Sequence, residues 1–398
     1  DYDLPFLAQA PMEPMNCTAH VRDGGCELWA PTQVPTAAVQ AVSEALCIPG
    51  EGVTLHVTLM GGGFGRRLQS DYAVEAALIS RAAGAPVQLF WTREDDVGGG
   101  WYRPASLHRM AGALDARGRV VAWFHRIVTP SISGQPPTGL EEDTFSPFAT
   151  AGFAALPYAV PNLRVEYRSV NVPVPVGWWR SVYASQYTFA NECFIDELAA
   201  AASVDPLTFR RSALRGNARA RRVLDLAAER SHWGEPLPGG RGRGIALAEF
   251  FDTWVAHVAE VSVSPGGDAR VERVTVAVDC GFVVHPKNVE AQIVGGTIDG
   301  LWAALQGEIT LEDGAAVQKN FDRYRLLRMG DVPPIDVHIV PSREPPTGAG
   351  EPGVPGAAPA VVNAVHAATG VRRRKLPLGA GTRTAPLATD GASISWVG

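Results

Sequence analysis

The sequence predicts a mixed α/β fold of the α+β kind, because strand and helix patterns alternate along its 398 residues. Three segments carry this prediction. Residues 53–92 read as strand, glycine-rich turn, helix and strand; residues 185–213 contain two helical patterns; and residues 254–281 contain two apolar strands around a Ser-Pro-Gly-Gly turn.

The first of these segments has clear boundaries. Val53–Met60 is apolar with partial alternation, which predicts a strand. Ser70–Gly84 predicts a helix with Ser70 or Asp71 as its cap and a glycine as its stop. Ala85–Thr92 then predicts the returning strand.

The middle of the chain predicts a loop, two helices and a linker. Residues 131–146 are loop-like, Ser185–Val204 is an amphipathic helix, and a second helix opens at Pro206. Leu237–Gly244, rich in glycine, is the best linker candidate. It divides the chain into two predicted regions, residues 1–236 and 237–398.

The last part predicts a hairpin followed by further elements. Trp254–Val263 and Arg270–Gly281 form the hairpin strands. Beyond them the patterns predict a glycine-containing helix (Asn288–Ile309), a strand (Pro334–Val340) and a helix that begins with proline and ends with glycine (Pro359–Gly370).

Composition excludes several classes of function. The formal net charge of −6 and pI near 5.9 do not suggest nucleic acid or an anionic membrane as partner. No apolar run reaches the ~18 residues of a membrane helix. The five cysteines contain no C-x-x-C pair, which argues against a disulfide framework and against zinc or iron–sulfur ligation by this chain. The start lacks both methionine and a signal-peptide pattern, so we expect a processed end or a fragment.

The stretch "GGGFGRR" (Gly61–Arg67) lies between the predicted strand and helix. Glycines in such a turn let the backbone approach a ligand, and N–H groups near a helix N-terminus favour anions. A dinucleotide fingerprint would need glycine at position 66, where Arg66 stands, and no G-K-[ST] follows to make a P-loop. A tight turn without a ligand is the alternative.

Two further stretches draw attention. In "PVGWWRSVYASQ" (Pro175–Gln186), Arg180 lies among tryptophans and a tyrosine, which fits either a site or an aromatic packing corner. In "GAGEPGVPGAAPAVVNAV" (Gly348–Val365), Glu351 is the only charge. A buried carboxylate must be paired, protonated or functional, whereas a capping or surface carboxylate is the alternative.

Together these stretches resemble the molybdenum-binding subunit of the xanthine oxidase/aldehyde oxidase family. The resemblance is to the later portion of that subunit in the isoquinoline 1-oxidoreductase-like (beta subunit) branch, which includes bacterial aldehyde dehydrogenases. It continues through "APMEPMNCTAHV", "WTREDD", "NECFIDELAAAASVDPLTFR" and "NFDRYRLLR", and therefore covers nearly the whole chain. It implies mixed sheets with packed helices.

The resemblance implies a role for each stretch. Water-derived oxygen is inserted at an electron-poor C–H of an aldehyde or N-heteroaromatic, with Glu351 as general base and hydride passed to a molybdenum sulfido ligand. The cofactor is a molybdenum-pterin, in the molybdopterin cytosine dinucleotide form by similarity to bacterial relatives, and no protein side chain is a metal ligand. The implied cofactor-binding residues are Gly62, Gly63, Phe64, Gly65, Arg66, Arg180, Ser181 and Gly350.

Departures from the family pattern narrow the substrate. Purine hydroxylases carry a carboxylate four residues after the motif phenylalanine, where this chain has Leu68. They carry a phenylalanine two residues after the motif arginine, where this chain has Val182. Both changes argue against purines. The expected pocket lining is Leu68, Trp179, Val182 and Tyr183.

The resemblance also predicts partners. The family's glutamine-bearing G-Q-G segment and its iron–sulfur modules do not occur in this sequence. We therefore expect a chain that supplies the N-terminal part of the molybdenum subunit and a small subunit with [2Fe–2S] clusters, together with a small-molecule substrate. The resemblance leaves a periplasmic and a cytoplasmic location in a bacterium open and slightly favours the periplasm.

Two other functions remain open from the sequence. One is a non-catalytic scaffold or maturation partner with the same fold, which would not need Glu351. The other is a dinucleotide-dependent dehydrogenase, which the glycine spacing disfavours.

Overall fold

A computed structural model describes residues 1–132, 156–214 and 216–379 and the backbone of residues 383–384. The strands are β1 (Tyr2–Leu4), β2 (Asn16–Arg22), β3 (Gly25–Ala30), β4 (Val53–Val57), β5 (Val87–Phe90), β6 (Ser106–Leu114), β7 (Val120–Thr129), β8 (Asn162–Ser169), β9 (Arg241–Phe250), β10 (Thr253–Val263), β11 (Ala269–Asp279), β12 (Leu311–Glu312), β13 (Ala315–Ala316), β14 (Ile335–Ile339) and β15 (Arg383–Thr384). The α-helices are α1 (Pro35–Leu46), α2 (Asp71–Ala83), α3 (Arg93–Gly98), α4 (Ala184–Ala201), α5 (Pro206–Ala213), α6 (Ala218–Arg230), α7 (Pro286–Leu305) and α8 (Ala357–Thr369).

Three mixed sheets organise these elements. One has the strand order β4-β3-β2-β5, a second β1-β6-β7-β8, and a third β14-β11-β10-β9 with β15 also paired to β11. Each sheet combines antiparallel pairs with parallel pairing at an edge, namely β3 with β4, β7 with β8, and β11 with both β14 and β15. The predicted fold class, mixed α/β with mixed sheets and packed helices, is confirmed.

The largest core cluster joins the third sheet to three helices. Apolar side chains of β10 and β11 pack with those of α4, α7 and α8, and most of them are fully buried. Helix α8 packs directly on β9, because Gly242 and Gly244 have no side chains that would keep the helix and the strand apart. A Cβ on Gly244 would lie 2.2 Å from the Ala360 carbonyl oxygen. This close packing fixes the start of α8, and with it the loop that carries Glu351.

Most predicted elements are present with shorter bounds. The predicted strand Val53–Met60 ends at Val57, and the predicted helix at Ser70–Gly84 runs over Asp71–Ala83. Ser70 occupies the cap position but its side chain makes no capping hydrogen bond, whereas Gly84 ends the helix with a left-handed φ of 62°. The hairpin and the helix that ends at Gly370 are also confirmed.

The linker prediction is partly wrong. Arg241–Gly244 belong to β9 rather than to a loop, because their glycines serve the contact with α8. The division of the chain at residue 237 stays a prediction. Residues 133–146 of the predicted loop lie outside the described residues.

Candidate functional site

The glycine turn, the Arg180 turn and the Glu351 loop meet at one place. A Cβ on Gly65 would lie 2.4 Å from the Trp178 carbonyl oxygen, so the first two turns are in direct contact. The Ser181 backbone N–H donates to Glu351 Oε2 at 2.8 Å, across 170 positions of sequence. Three stretches that the sequence singled out separately therefore form one site.

The glycine turn is held in an unusual backbone conformation. Gly62 and Gly65 both have a φ of 98°, and Phe64 between them has a φ of 54°, which is uncommon for a residue with a side chain. The Gln33 side-chain oxygen Oε1 accepts a hydrogen bond from the Gly65 N–H at 3.1 Å and so fixes the turn. The N–H groups of Gly62, Gly63 and Phe64 donate no hydrogen bond to any residue that the structure describes.

Arg66 differs from the other predicted cofactor-binding residues. Its guanidinium is buried and forms a bidentate ion pair with Asp71 at 2.9 and 2.8 Å. It also lies over the Trp91 ring, 5.0 Å from the centroid. Arg66 therefore faces the protein interior, where it ties the glycine turn to the start of α2.

The Arg180 turn is strained and strongly tied to neighbouring segments. Ser181 and Val182 have φ values of 79° and 52°, and a left-handed conformation is costly for a β-branched residue such as valine. The Arg180 guanidinium donates to the Gly350 carbonyl oxygen at 2.9 Å and to Asp299 Oδ2 at 3.0 Å. The Ser181 hydroxyl is buried and has no hydrogen-bond partner among the described residues.

Glycines on α7 allow the Glu351 loop to approach. A Cβ on Gly300 would lie 2.5 Å from the Val354 carbonyl oxygen, and one on Gly296 would lie 3.1 Å from the backbone of Gly353. The turn that follows Glu351 is thereby held against the helix. This packing explains why so many small residues surround a single carboxylate.

Glu351 is half-buried, and its environment shifts its proton affinity. Burial raises the pKa of its carboxyl group, and this effect exceeds the opposing hydrogen bond from the Ser181 N–H and the attraction of Arg180. A carboxylate with a raised pKa is suited to accept a proton near neutral pH. Burial also raises the pKa of Asp299, against the attraction of its partner Arg180.

Two cavities border this site, and they divide the predicted pocket residues. Val182 and Tyr183 line a cavity of about 280 Å³. Trp179 and Phe64 line a second one of about 200 Å³. Leu68 is among the lining residues of neither.

Sequence reasoning missed the hairpin between β9 and β10. Glu249, Phe250 and Phe251 line the larger cavity. Phe251 and Asp252 form a two-residue turn with left-handed φ values of 52° and 59°. A Cβ on Gly348 would lie 2.7 Å from the Phe251 Cβ, so this turn packs on the loop that leads to Glu351. The two adjacent phenylalanines before Asp-Thr were the sequence pattern that could have indicated this turn.

Two other kinds of feature do not occur in the described ranges. No group of three or more His, Cys, Asp or Glu side chains there is placed to hold a metal ion. No helix there combines the length and the apolar character needed to cross a bilayer. The cysteines are all unpaired, and only Cys47 is exposed.

Comparisons with known proteins agree with this architecture. Residues 1–214 match a family described as a molybdopterin cofactor-binding domain, and residues 188–333 match a second family with the same description. The chain is 34% identical over 386 residues to the beta subunit of isoquinoline 1-oxidoreductase from Brevundimonas diminuta, with 94% of this chain and 49% of that protein covered. It is 31% identical to a nicotinate dehydrogenase subunit from Pseudomonas putida, with 98% and 35% covered.

The fold is also found in solved structures. Quinoline 2-oxidoreductase from Pseudomonas putida 86 superposes with a TM-score of 0.85 at 17% identity, over 96% of this chain and 74% of that one. The chain spans about half the length, or less, of the curated relatives named above. Because one family match covers more than half of the chain, and a relative above 30% identity covers nearly all of it, the chain belongs to the molybdopterin cofactor-binding domains of the xanthine oxidase/aldehyde oxidase family.

Proposed function

We propose that this chain is part of a molybdenum hydroxylase that inserts a water-derived oxygen at an electron-poor C–H of an aldehyde or N-heteroaromatic, with Glu351 as general base. The observation that carries the proposal is the placement of Glu351. It is a half-buried carboxylate with a raised pKa, and it is hydrogen-bonded to a strained turn beside two cavities. The names of two relatives, isoquinoline 1-oxidoreductase and nicotinate dehydrogenase, support N-heteroaromatic substrates, of which isoquinoline carries no carboxylate and nicotinate carries one.

The residues present fit a molybdopterin. Gly62, Gly63 and Phe64 offer N–H groups without partners among the described residues, and Ser181 offers a buried hydroxyl in the same situation. Such groups suit the phosphate oxygens and polar ring edges of a pterin. Gly65 contributes by letting the two turns touch.

These donors, with Arg180 and Gly350, are the proposed cofactor-binding set. Arg66 supports it indirectly through its ion pair with Asp71. When bound, the molybdenum-pterin supplies the two-electron oxidation of the substrate carbon. Its cytosine dinucleotide form remains part of the proposal.

The contribution of this chain to the chemistry is proton transfer and positioning. The Ser181 N–H holds one oxygen of the Glu351 carboxylate, and no described residue donates to the other oxygen, which is therefore the one proposed to accept a proton. Burial makes that acceptance easier near neutral pH by raising the pKa. Arg180 holds the Glu351 loop through the Gly350 carbonyl and so keeps the carboxylate in place.

Partner chains remain part of the proposal. The end of β4 and the segment from there to the glycine turn expose apolar side chains, with Val57 at 52%, Leu59 at 97% and Met60 at 37% exposure. Strand β4 is also at a sheet edge. Exposed apolar side chains at an edge suit a covering surface. We propose that a segment completing the molybdenum subunit lies there and that a small [2Fe–2S] subunit receives the electrons.

Replacement of Glu351 tests the proposed function. In the purified complex, the Glu351→Gln variant should keep both its fold and its molybdenum. Its kcat should fall by roughly 10²–10⁴-fold, as expected for the loss of a general base. Glu344→Gln, the same change in an exposed carboxylate of the preceding loop, should leave kcat unchanged. Turnover of the Glu351 variant at near wild-type rate would contradict the assignment.

A further inference from the structure

The larger cavity has aromatic walls and an unbalanced charge. Trp178, Tyr183, Tyr187 and Phe251 are among its lining residues, together with Val182 from the Arg180 turn. No Lys, Arg or His occurs in the described lining. A planar, apolar ligand would therefore meet no positive charge from these residues.

The two acidic residues of the lining differ in their availability. Glu192 is buried, and its oxygens accept from Arg210 Nε at 2.9 Å and from the Tyr158 hydroxyl at 2.6 Å. The Leu247 N–H adds a third hydrogen bond at 2.9 Å. Glu192 is thus a satisfied structural carboxylate, unavailable to a ligand.

Glu249 is not neutralised in this way. Its Oε1 accepts the Asp252 N–H at 2.8 Å, within the β9–β10 turn. Arg219 is the basic group that acts on it, but that guanidinium is engaged by Asp279 Oδ1 at 3.0 Å. Burial and the nearby Asp252 carboxylate raise the pKa of Glu249, against the hydrogen bond from the Asp252 N–H and the attraction of Arg219. Glu249 is thus an acidic group of the cavity that forms no ion pair within the described residues.

A neutral side chain lines the same cavity. Asn191 is only 6% exposed. Its hydrogen bond with His125 opposes the effect of burial on the pKa of that histidine, so the amide is already engaged within the protein. The cavity therefore offers Glu249 and no basic side chain from its described lining.

We propose that this cavity selects planar aromatic substrates that are neutral or positively charged and rejects those that carry a carboxylate, with Glu249 as the specificity-determining residue. The inference rests on the proposed function, because it takes this cavity, which Val182 of the Arg180 turn lines and Glu351 does not, as the substrate pocket. A substrate carboxylate would be brought into an apolar space beside an acidic group, with no basic side chain in the described lining to compensate its charge, which is unfavourable. A substrate N–H or cation would instead meet its complement.

Three ligands of nearly equal size and shape test the charge preference. Benzoate, benzamide and benzamidine are anionic, neutral and cationic, and their binding to the purified complex is measured by calorimetry without any turnover. We expect benzamide and benzamidine to bind at least ~10-fold more tightly than benzoate, equivalent to ~1.4 kcal/mol. Glu249→Gln keeps the acceptor for the Asp252 N–H and should reduce the gap between benzamidine and benzoate about tenfold. Glu249→Lys should reverse the order.

The matched control removes a charge elsewhere in the same sheet. Glu272 lies in β11 at the end far from the β9–β10 turn, and Glu272→Gln should leave all three affinities unchanged. Equal binding of benzoate and benzamidine to the wild type, or an unchanged gap in Glu249→Gln, would overturn the inference. Oxidation of benzaldehyde and of isoquinoline, measured in parallel, separates the two proposals. Failure to oxidise both benzaldehyde and isoquinoline would count against the proposed function, whereas normal oxidation of either one with no charge preference would count against Glu249 alone.

Discussion

Replacing Gly65 by alanine tests whether contact between the two turns creates the site. Gly65 has a φ of 98°, and a Cβ there would lie 2.4 Å from the Trp178 carbonyl oxygen and 2.6 Å from its carbonyl carbon. Non-bonded contacts between carbon atoms are most favourable at about 3.5–4.0 Å. The alanine methyl must therefore push the backbone of Trp178 away. This displaces the Arg180 turn as well, because Arg180 lies only two residues after Trp178.

Gly84 provides a matched control with the same backbone problem and no contact. Its φ is 62°, and a Cβ there would have no atom within 4 Å. Gly84→Ala should cost roughly 1–2 kcal/mol, the penalty of a left-handed conformation alone. Gly65→Ala adds an overpacking term of roughly 1–3 kcal/mol, for a total of about 2–5 kcal/mol.

The two variants are compared in the purified complex by urea unfolding and by elemental analysis of molybdenum. Gly65→Ala should unfold at clearly lower urea and lose molybdenum, because the displaced Arg180 turn no longer holds Glu351 and Gly350. Gly84→Ala should keep its molybdenum. If the two variants match in both stability and molybdenum content, the contact between the turns does not carry the site.

Three further predictions follow from buried groups and from the cavity. Because burial raises the pKa of Glu351, the acid limb of kcat/KM should lie above the ordinary glutamate value of about 4.3, and a limb at or below that value would contradict it. Burial lowers the pKa of His125 to about 3 and that of its hydrogen-bonded neighbour His108 as well. Below pH ~6.5 the unfolded chain therefore takes up protons that the folded chain does not, so stability present above that pH is lost as the pH falls toward 3. The urea midpoint should drop between pH 7 and 5, and the drop should be smaller in His108→Gln. Val182→Phe should change relative rates across an aldehyde and heteroaromatic panel more than Leu68→Glu does, because only Val182 lines the larger cavity; the opposite order would place Leu68 in the pocket.

Local features of the fold were predictable because their causes are local. Gly84 and Gly370 end their helices with the left-handed φ that glycine favours, and the apolar strands around Ser-Pro-Gly-Gly form the expected hairpin. The glycine turn and Glu351 were also recognisable, since each departs from its surroundings in residue type. The sequence alone thus determined the fold class, the family resemblance and the three stretches that meet at the site.

Only the tertiary structure distinguished residues with similar local settings. Arg66 and Arg180 both lie in turns near aromatic residues, but Arg66 finds Asp71 five positions away, whereas Arg180 finds Asp299 and Gly350 more than a hundred positions away. Such distant partners leave no local pattern in the chain. The same holds for the hydrogen bond from Ser181 to Glu351.

The glycines at the start of β9 show the physical reason most clearly. By composition, Leu237–Gly244 is typical of a flexible linker, and that expectation was wrong for its second half. Gly242 and Gly244 are strand residues whose missing side chains let the backbone of α8 approach, and α8 begins six residues after Glu351. The sequence alone determined that the residues at these positions have no side chains. Their rigidity was decided by a helix that lies more than a hundred residues away in sequence and packs against them. Close packing of this kind depends on which surfaces the whole chain brings together.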